Sequence, residues 1–259
     1  ATTAGITIPG GAHNLRKITI STDSATIDVD SLLFPWAQLT ELRILNTVVT
    51  YAGCHAALRQ CPNLVSFALG IVPNDRACLA QIPNTRLTHL ESLTVMSRAE
   101  GEHGHFLHPF ILPSLKEFVI TGGRQTYWLG LPALITRSSC SLKRFEAVDF
   151  STLELLEFLL AIPSLTEWSV RSTYSSYFLK HIIPQISRDS LVPNLQVLKC
   201  DLDSAELFID LLELRSQSTA VTTIRSWTIY GDPEKGREVI AQSAHKFAPG
   251  TDIIFQAIV

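Results

Sequence analysis

The sequence predicts an α/β solenoid of about nine to ten stacked coils, with parallel strands along the inner curve and helices along the outer one. Three observations predict it. An L-x-x-L-x-L pattern, with apolar substitutes, opens at Leu15, Leu39, Leu64, Leu90, Leu115, Leu142, Leu165, Leu195 and Ile224. These starts lie about 26 residues apart on average, within or just beyond the ~20–29 expected of such coils. Four segments, CPNLVSF from Cys61, LPSLKEF from Leu112, IPSLTEW from Ile162 and VPNLQVL from Val192, share an apolar–Pro–Asn/Ser–Leu opening. The segments between them carry helical spacing and caps. One coil of this length cannot bury its own apolar edge, so neighbours must cover it.

Each element follows from its residues. Proline ends the preceding helix, because it has no N–H and clashes with the turn before it. Asn or Ser makes the turn, and Leu opens the strand. The next apolar pairs alternate: Ile18 and Ile20, Leu42 and Ile44, Phe67 and Leu69, Leu93 and Val95, Phe118 and Ile120, Phe145 and Ala147, Trp168 and Val170, Leu198 and Cys200, Trp227 and Ile229. STLELLEFLLAI offers Ser151 and Glu154 as a capping box. DSAELFIDLLELR places Asp203 and Glu206 in the same relation, and Asp232–Pro233 reads as an N-cap followed by proline at the first helical position. Ile240, Ala244 and Phe247 then share one helical face. YAGCHAALRQ and NDRACLAQI are shorter, weaker helical connections. The period shows no break, so residues 1–259 read as one domain, with 1–14 a lead-in or N-terminal cap and 248–259 (ending DIIFQAIV) a last strand or cap.

Alternation also says which side chains face away from the core. Residues two, four and six places after each starting Leu should line the inner face. The first row reads Lys17, Glu41, Ser66, Ser92, Glu117, Arg144, Glu167, Val197 and Ser226. The second holds Arg43, Val119, Glu146, Ser169, Lys199 and Thr228; the third holds Leu45, Met96, Thr121, Val148, Arg171, Asp201 and Tyr230. Glu117, Arg144 and Glu167 are expected on adjacent rungs. The candidate partner-binding residues are Glu117, Arg144, Glu146, Glu167, Arg171 and Lys199, with Tyr230 as an aromatic anchor. The plainer explanation is that these charges only neutralise one another across a wet sheet, each exposed pair contributing ~0–1 kcal/mol.

Composition narrows the classes. Hydrophobic residues make up 46% and charged residues 17%, so much of each segment must be buried, yet no run reaches the ~18 apolar residues of a membrane span. A net charge of −3 argues against a nucleic-acid footprint. Cys54, Cys61, Cys78, Cys140 and Cys200 are odd in number, irregularly spaced and without a CxxC pair, which reads as free, mostly buried thiols. With no Asn-x-Ser/Thr site, this favours a cytoplasmic or nuclear location over a secreted one. The opening ATTAGITIPGG lacks the pattern of a signal peptide.

Catalytic motifs are missing: no GxSxG, HExxH or phosphate loop occurs, and no cofactor is expected. GDPEKGRE from Gly231 has two glycines at phosphate-loop spacing but no Lys-Ser/Thr pair; it reads as a loop entering a helix. GEHGHFLH brings His103, His105 and His108 together, the one weak candidate for a metal. Flexible loops commonly carry surface histidines, and none but Glu102 supplies a carboxylate. Asp201 and Asp203 in DLDSAE are explained without a metal, as a strand residue and a helix cap.

The PxLxxLxL segments with long helical connections resemble leucine-rich-repeat proteins of the ribonuclease-inhibitor-like kind. The irregular period and the P-[NS]-L opening are similar, more narrowly, to the substrate-binding half of fungal F-box proteins. The resemblance implies a receptor in a cullin-type (SCF-type) ubiquitin ligase, the repeats holding a protein target and an F-box holding the adaptor Skp1. Repeat one opens at Leu15, so an F-box would have to lie outside this chain. The family places Asn or Cys three residues after the last strand Leu; here stand Asp23, Thr47, Val72, Arg98, Gly123, Phe150, Thr173, Asp203 and Asp232, so a regular asparagine ladder is absent. The expectation is therefore a protein-binding module and not an enzyme. The alternative is a free-standing or secreted repeat protein that recognises a glycan or small ligand, with Trp36, Tyr127, Trp128, Tyr174 and Tyr177 as stacking surfaces.

Overall fold

Every expected starting Leu from Leu39 onward is buried, as is Ile224, and each is followed two residues later by a strand. A computed structural model describes residues 14–21, 32, 34–45, 51–71, 83–97, 101–102, 104–122, 126–127, 130–148, 155–171, 192–217, 222–243, 246–247 and 250–257. The chain divides into two compact units, Ala1–Ser141 and Leu142–Val259. Both are mixed α/β, each with five long parallel strands among the described residues.

In the first unit, in chain order, come β1 (Lys17–Ser21), β2 (Glu41–Leu45), helix α1 (Tyr51–Arg59), β3 (Ser66–Ile71), β4 (Thr85–Arg86), β5 (Ser92–Ser97), β6 (Gly101–Glu102), β7 (Phe110–Ile111), β8 (Glu117–Thr121), β9 (Thr126–Tyr127) and helix α2 (Leu131–Ser138). The long strands lie in the order β1-β2-β3-β5-β8. Their register is the one alternation requires: Lys17 opposes Glu41, Glu41 opposes Ser66, Ser66 opposes Ser92 and Ser92 opposes Glu117. Two short parallel pairs, β4–β7 and β6–β9, and helix α2 add to the expected elements.

In the second unit come β10 (Arg144–Val148), α3 (Leu155–Ala161), β11 (Glu167–Arg171), β12 (Val197–Asp201), α4 (Leu202–Gln217), β13 (Ser226–Tyr230), α5 (Pro233–Ser243) and β14 (Asp252–Gln256). The strands run in the order β10-β11-β12-β13-β14, every neighbouring pair parallel. The Asp232–Pro233 reading holds: Asp232 Oδ1 accepts the Glu234 N–H at 2.9 Å. Helix α4 begins at Leu202, directly after β12, so Asp203 sits inside the first turn and is not its N-cap. There its carboxylate still favours the positive end of the helix dipole. Ser151 and Glu154, the segment NDRACLAQI and Ala244 lie outside the described residues.

The cores repeat the same chemistry rung by rung. Phe67, Leu93 and Phe118 stack within the first unit and Phe145, Trp168, Leu198 and Trp227 within the second, all with essentially no exposure. A fully buried side chain of this kind contributes roughly 1.5–3 kcal/mol. Polar groups tie the rungs together at the strand entrances. The Arg16 carbonyl accepts two amides, from Thr40 at 2.8 Å and Glu41 at 3.0 Å, and the Thr40, Val65, Glu91, Lys143, Thr166 and Gln196 carbonyls repeat the arrangement. Asn63 Nδ2 donates to the Ala37 carbonyl at 2.8 Å and Asn194 Nδ2 to Pro163 at 2.9 Å. Ser114 and Ser164 hydroxyls do the same to Thr88 and Leu142. The Asn and Ser of the P-[NS]-L opening therefore bridge the entrances of neighbouring strands as well as make turns.

Candidate functional site

The side chains that alternation turns away from the core collect, in the second unit, on one face of β10 to β13. Arg144 opposes Glu167, which opposes Val197 and then Ser226; Glu146 opposes Ser169, Lys199 and Thr228; Val148 opposes Arg171, and Asp201 opposes Tyr230. Six of the seven residues singled out in the sequence share this face. Glu117 stands exposed on β8, in the first unit, and is described with it.

These side chains form a connected network. Glu146 accepts from Arg144 Nη2 at 3.1 Å through one carboxylate oxygen and from Arg171 Nη2 at 2.7 Å through the other. Glu167 Oε1 accepts from Lys199 Nζ at 2.6 Å and lies 3.5 Å from Arg144 Nε. The Arg171 guanidinium lies 5.2 Å from the centroid of the Tyr230 ring, a cation–π distance. Glu146 is the least exposed of the charged groups, its side chain 15% accessible, while the two arginines remain more than a third accessible.

Charges lying flat across a sheet have a consequence that strand periodicity alone does not contain. Ser169 belongs to the face turned away from the core, yet it is 1% exposed, and Thr228 in the same row is 6% exposed.

The first unit presents a different surface. Lys17 and Arg43 both pair with Glu41 at 2.9 Å, and the Lys17 hydrogen bond holds the Glu41 carboxyl below its usual range. Beyond them the same face carries small residues, Ser66, Ala68, Ser92 and Thr94. On the helix side lies a feature the sequence did not announce. His55 of α1 is fully buried; its Nε2 sits 3.2 Å from the Phe106 carbonyl and its Nδ1 2.9 Å from Thr85 Oγ1. A carbonyl only accepts, so Nε2 carries the proton and the Thr85 hydroxyl donates to Nδ1. The rings of Phe106 and Phe110 lie 5.2 and 4.5 Å away. Burial pushes the His55 pKa down to about 4, with the Arg59 cation adding to the effect and the Phe106 bond opposing it.

The remaining candidates are placed as follows. His103 and the side chain of His105 lie outside the described residues; His108 is exposed, beside Gly130. Among the described residues no group of three or more His, Cys, Asp or Glu is arranged to hold a metal. Trp36 is buried and donates its indole N–H to the Leu32 carbonyl at 3.2 Å, so it is a core residue and not a stacking surface. Trp128, Tyr174, Tyr177 and the side chain of Tyr127 lie outside the described residues. Cys54, Cys61, Cys140 and Cys200 are free thiols, all but Cys140 buried. Among the described residues no helix is long and apolar enough to cross a membrane.

No protein-family model matches the chain, and a search of curated proteins found no match either.

Proposed function

We propose that the chain is a leucine-rich-repeat solenoid of about nine to ten coils that binds a protein or peptide on its concave, strand-lined face and catalyses no reaction. The observation that carries this reading is the network of Arg144, Glu146, Glu167, Arg171 and Lys199 on β10 to β12. Rigid parallel strands hold five charged side chains and Tyr230 at fixed spacing on a face away from the core. Such rigidity lowers the entropy lost on binding. The motif resemblance makes the pathway specific: the repeats would be the target-binding part of an F-box-like ubiquitin-ligase receptor, in the cytoplasm or nucleus, reaching the adaptor Skp1 through an F-box outside this chain.

Two experiments test this reading. Affinity purification of the full-length gene product should bring down the adaptor and cullin; a clean preparation without either removes the ligase pathway. The R144E/R171E double variant should lose partner capture while keeping its thermal midpoint close to that of the parent. Capture unchanged in the folded variant rejects the patch. The glycan-binding alternative is weakened by the burial of Trp36, and a glycan array separates the two.

A further inference from the structure

β14 stands at one end of the strand order in the second unit, hydrogen-bonded to β13 and to no other strand among the described residues. Its burial differs from that of its neighbour. Trp227 and Ile229 on β13 are sealed, whereas their register partners Ile253 and Phe255 are only half-buried. Ile254, on the other face, is 49% exposed, while its register partner Thr228 is buried. The centre of β14 is therefore apolar on both faces and incompletely covered on both.

Backbone groups are open along the same edge. The Asp252 N–H donates to the Arg225 carbonyl at 2.8 Å, and the Gln256 carbonyl accepts from the Gly231 N–H at 3.0 Å. In a parallel ladder alternate residues bond to the same side, so Asp252, Ile254 and Gln256 face β13. Ile253 and Phe255 turn their N–H and C=O groups to the open side. Edge strands are ordinarily defended by lysine, proline or a bulge. β1, which ends the strand order of the first unit, exposes Lys17, Thr19 and Ser21. DIIFQ has neither lysine nor proline and pairs with β13 without a bulge. The strand is also firmly seated. A Cβ on Gly236 of α5 would come within 2.6 Å of Phe255 Cδ1, so that ring lies directly against the helix backbone.

We propose that β14 pairs with β14 of a second copy of this chain, antiparallel, about a two-fold axis at Ile254. In that register Ile253 of one copy opposes Phe255 of the other, and each such pair exchanges both backbone hydrogen bonds. Asp252 opposes Gln256, whose amide donates to the carboxylate. Ile254 meets Ile254 as the closer, non-hydrogen-bonded pair. The axis is perpendicular to the sheet, so the half-buried Ile253 and Phe255 of both copies gather on one side. Parallel pairing in register would instead set Asp252 against Asp252, a like-charge pair, and turn the two core faces to opposite sides. One self-complementary strand thus selects a closed dimer. A single strand pair is a small interface, so a dissociation constant of roughly 1–100 μM is expected.

The test is sedimentation velocity of the whole chain over roughly 1–200 μM, which brackets that constant. A monomer–dimer equilibrium is expected. Ile254→Lys and Ile254→Glu change an exposed side chain, and each should weaken dimerisation about tenfold by setting like charges face to face. An equimolar mixture of the two variants should dimerise again, because opposite charges then meet. Ile254→Cys should cross-link to a dimer on oxidation well above the parent's background, since a non-hydrogen-bonded pair at ~4.5 Å is within disulfide reach. That variant covers the case in which the charged ones do not fold. A monomer throughout the range, a dimer that both charged variants leave intact, a mixture that stays monomeric or the lack of a cross-link each overturns the inference. So do larger open assemblies, because two-fold pairing consumes both edges. None of these outcomes bears on the partner proposed for the face of β10 to β13.

Discussion

Lowering the pH from 7 to 5 should cost the protein ~2 kcal/mol of stability through one side chain, His55. Its pKa stands at about 4 in the folded chain against an ordinary 6.5. Between those values the unfolded chain binds the extra proton and the folded one does not. The folded pKa is the lower, so full stability is present above about pH 6.5 and is lost as pH falls towards 4. At ~1.4 kcal/mol per pH unit, the whole gap is worth ~3 kcal/mol, most of it gone by pH 5. The structural cause is specific. Protonation would place a cation among the rings of Phe106 and Phe110, under the repulsion of the Arg59 cation. The assay is urea unfolding followed by circular dichroism at pH 7 and pH 5, on the parent and on His55→Gln. Glutamine keeps a donor and an acceptor but does not titrate. With m near ~3 kcal/mol per molar urea, the parent midpoint should drop by ~0.7 M more than that of the variant. Equal drops in the two proteins would refute the assignment, because carboxylates common to both would then explain the whole acid sensitivity.

Three further outcomes follow from packing and hydrogen bonding. Leu165→Ala should destabilise by ~2–5 kcal/mol in denaturant titration, whereas Leu160→Ala, at a site 56% exposed on α3, should change stability by less than ~0.5 kcal/mol; similar effects would refute the burial pattern. Asn63→Ala and Asn194→Ala should each cost ~0.5–1.5 kcal/mol by the same titration, since each removes a bond between successive coils; no loss at either site would show those bonds to be dispensable. Under native conditions at pH 8, alkylation read by mass spectrometry should mark Cys140 well before Cys61 and Cys200, because burial pushes both of those thiols up to about 12 and encloses them. Equal labelling of the three would contradict that enclosure.

Periodic burial was legible from the residues alone because it is a one-dimensional property. A strand has a side-chain period of two, so the spacing of Leu39, Leu42 and Ile44, or Leu165, Trp168 and Val170, already states which side meets the core. The same rule placed Arg144, Glu146, Glu167, Arg171, Lys199 and Tyr230 on one face, and the register of β10 to β13 agrees. Asp232 was readable as a cap because capping is local.

Tertiary structure decided everything that depends on reach between strands. Whether Arg171 turns to Glu146 or elsewhere is a choice among rotamers, and the strand pairing makes that choice at 2.7 Å. Ser169 is an outward residue by its position on the strand and yet a buried one in the folded chain; no periodicity expresses that combination. His55 looked like one more residue of a weak helix until Thr85 and the Phe106 carbonyl, 30 and 51 positions away, closed on its two nitrogens. The Asn and Ser of the four P-[NS]-L openings were visible as turn formers, but their bonds to the segment before the preceding strand require the two strands to be paired first. Sequence specified the strands and their two faces, because burial follows local spacing; the folded chain alone specified which polar atoms meet, because those partners lie on neighbouring strands and their connections, more than twenty residues apart.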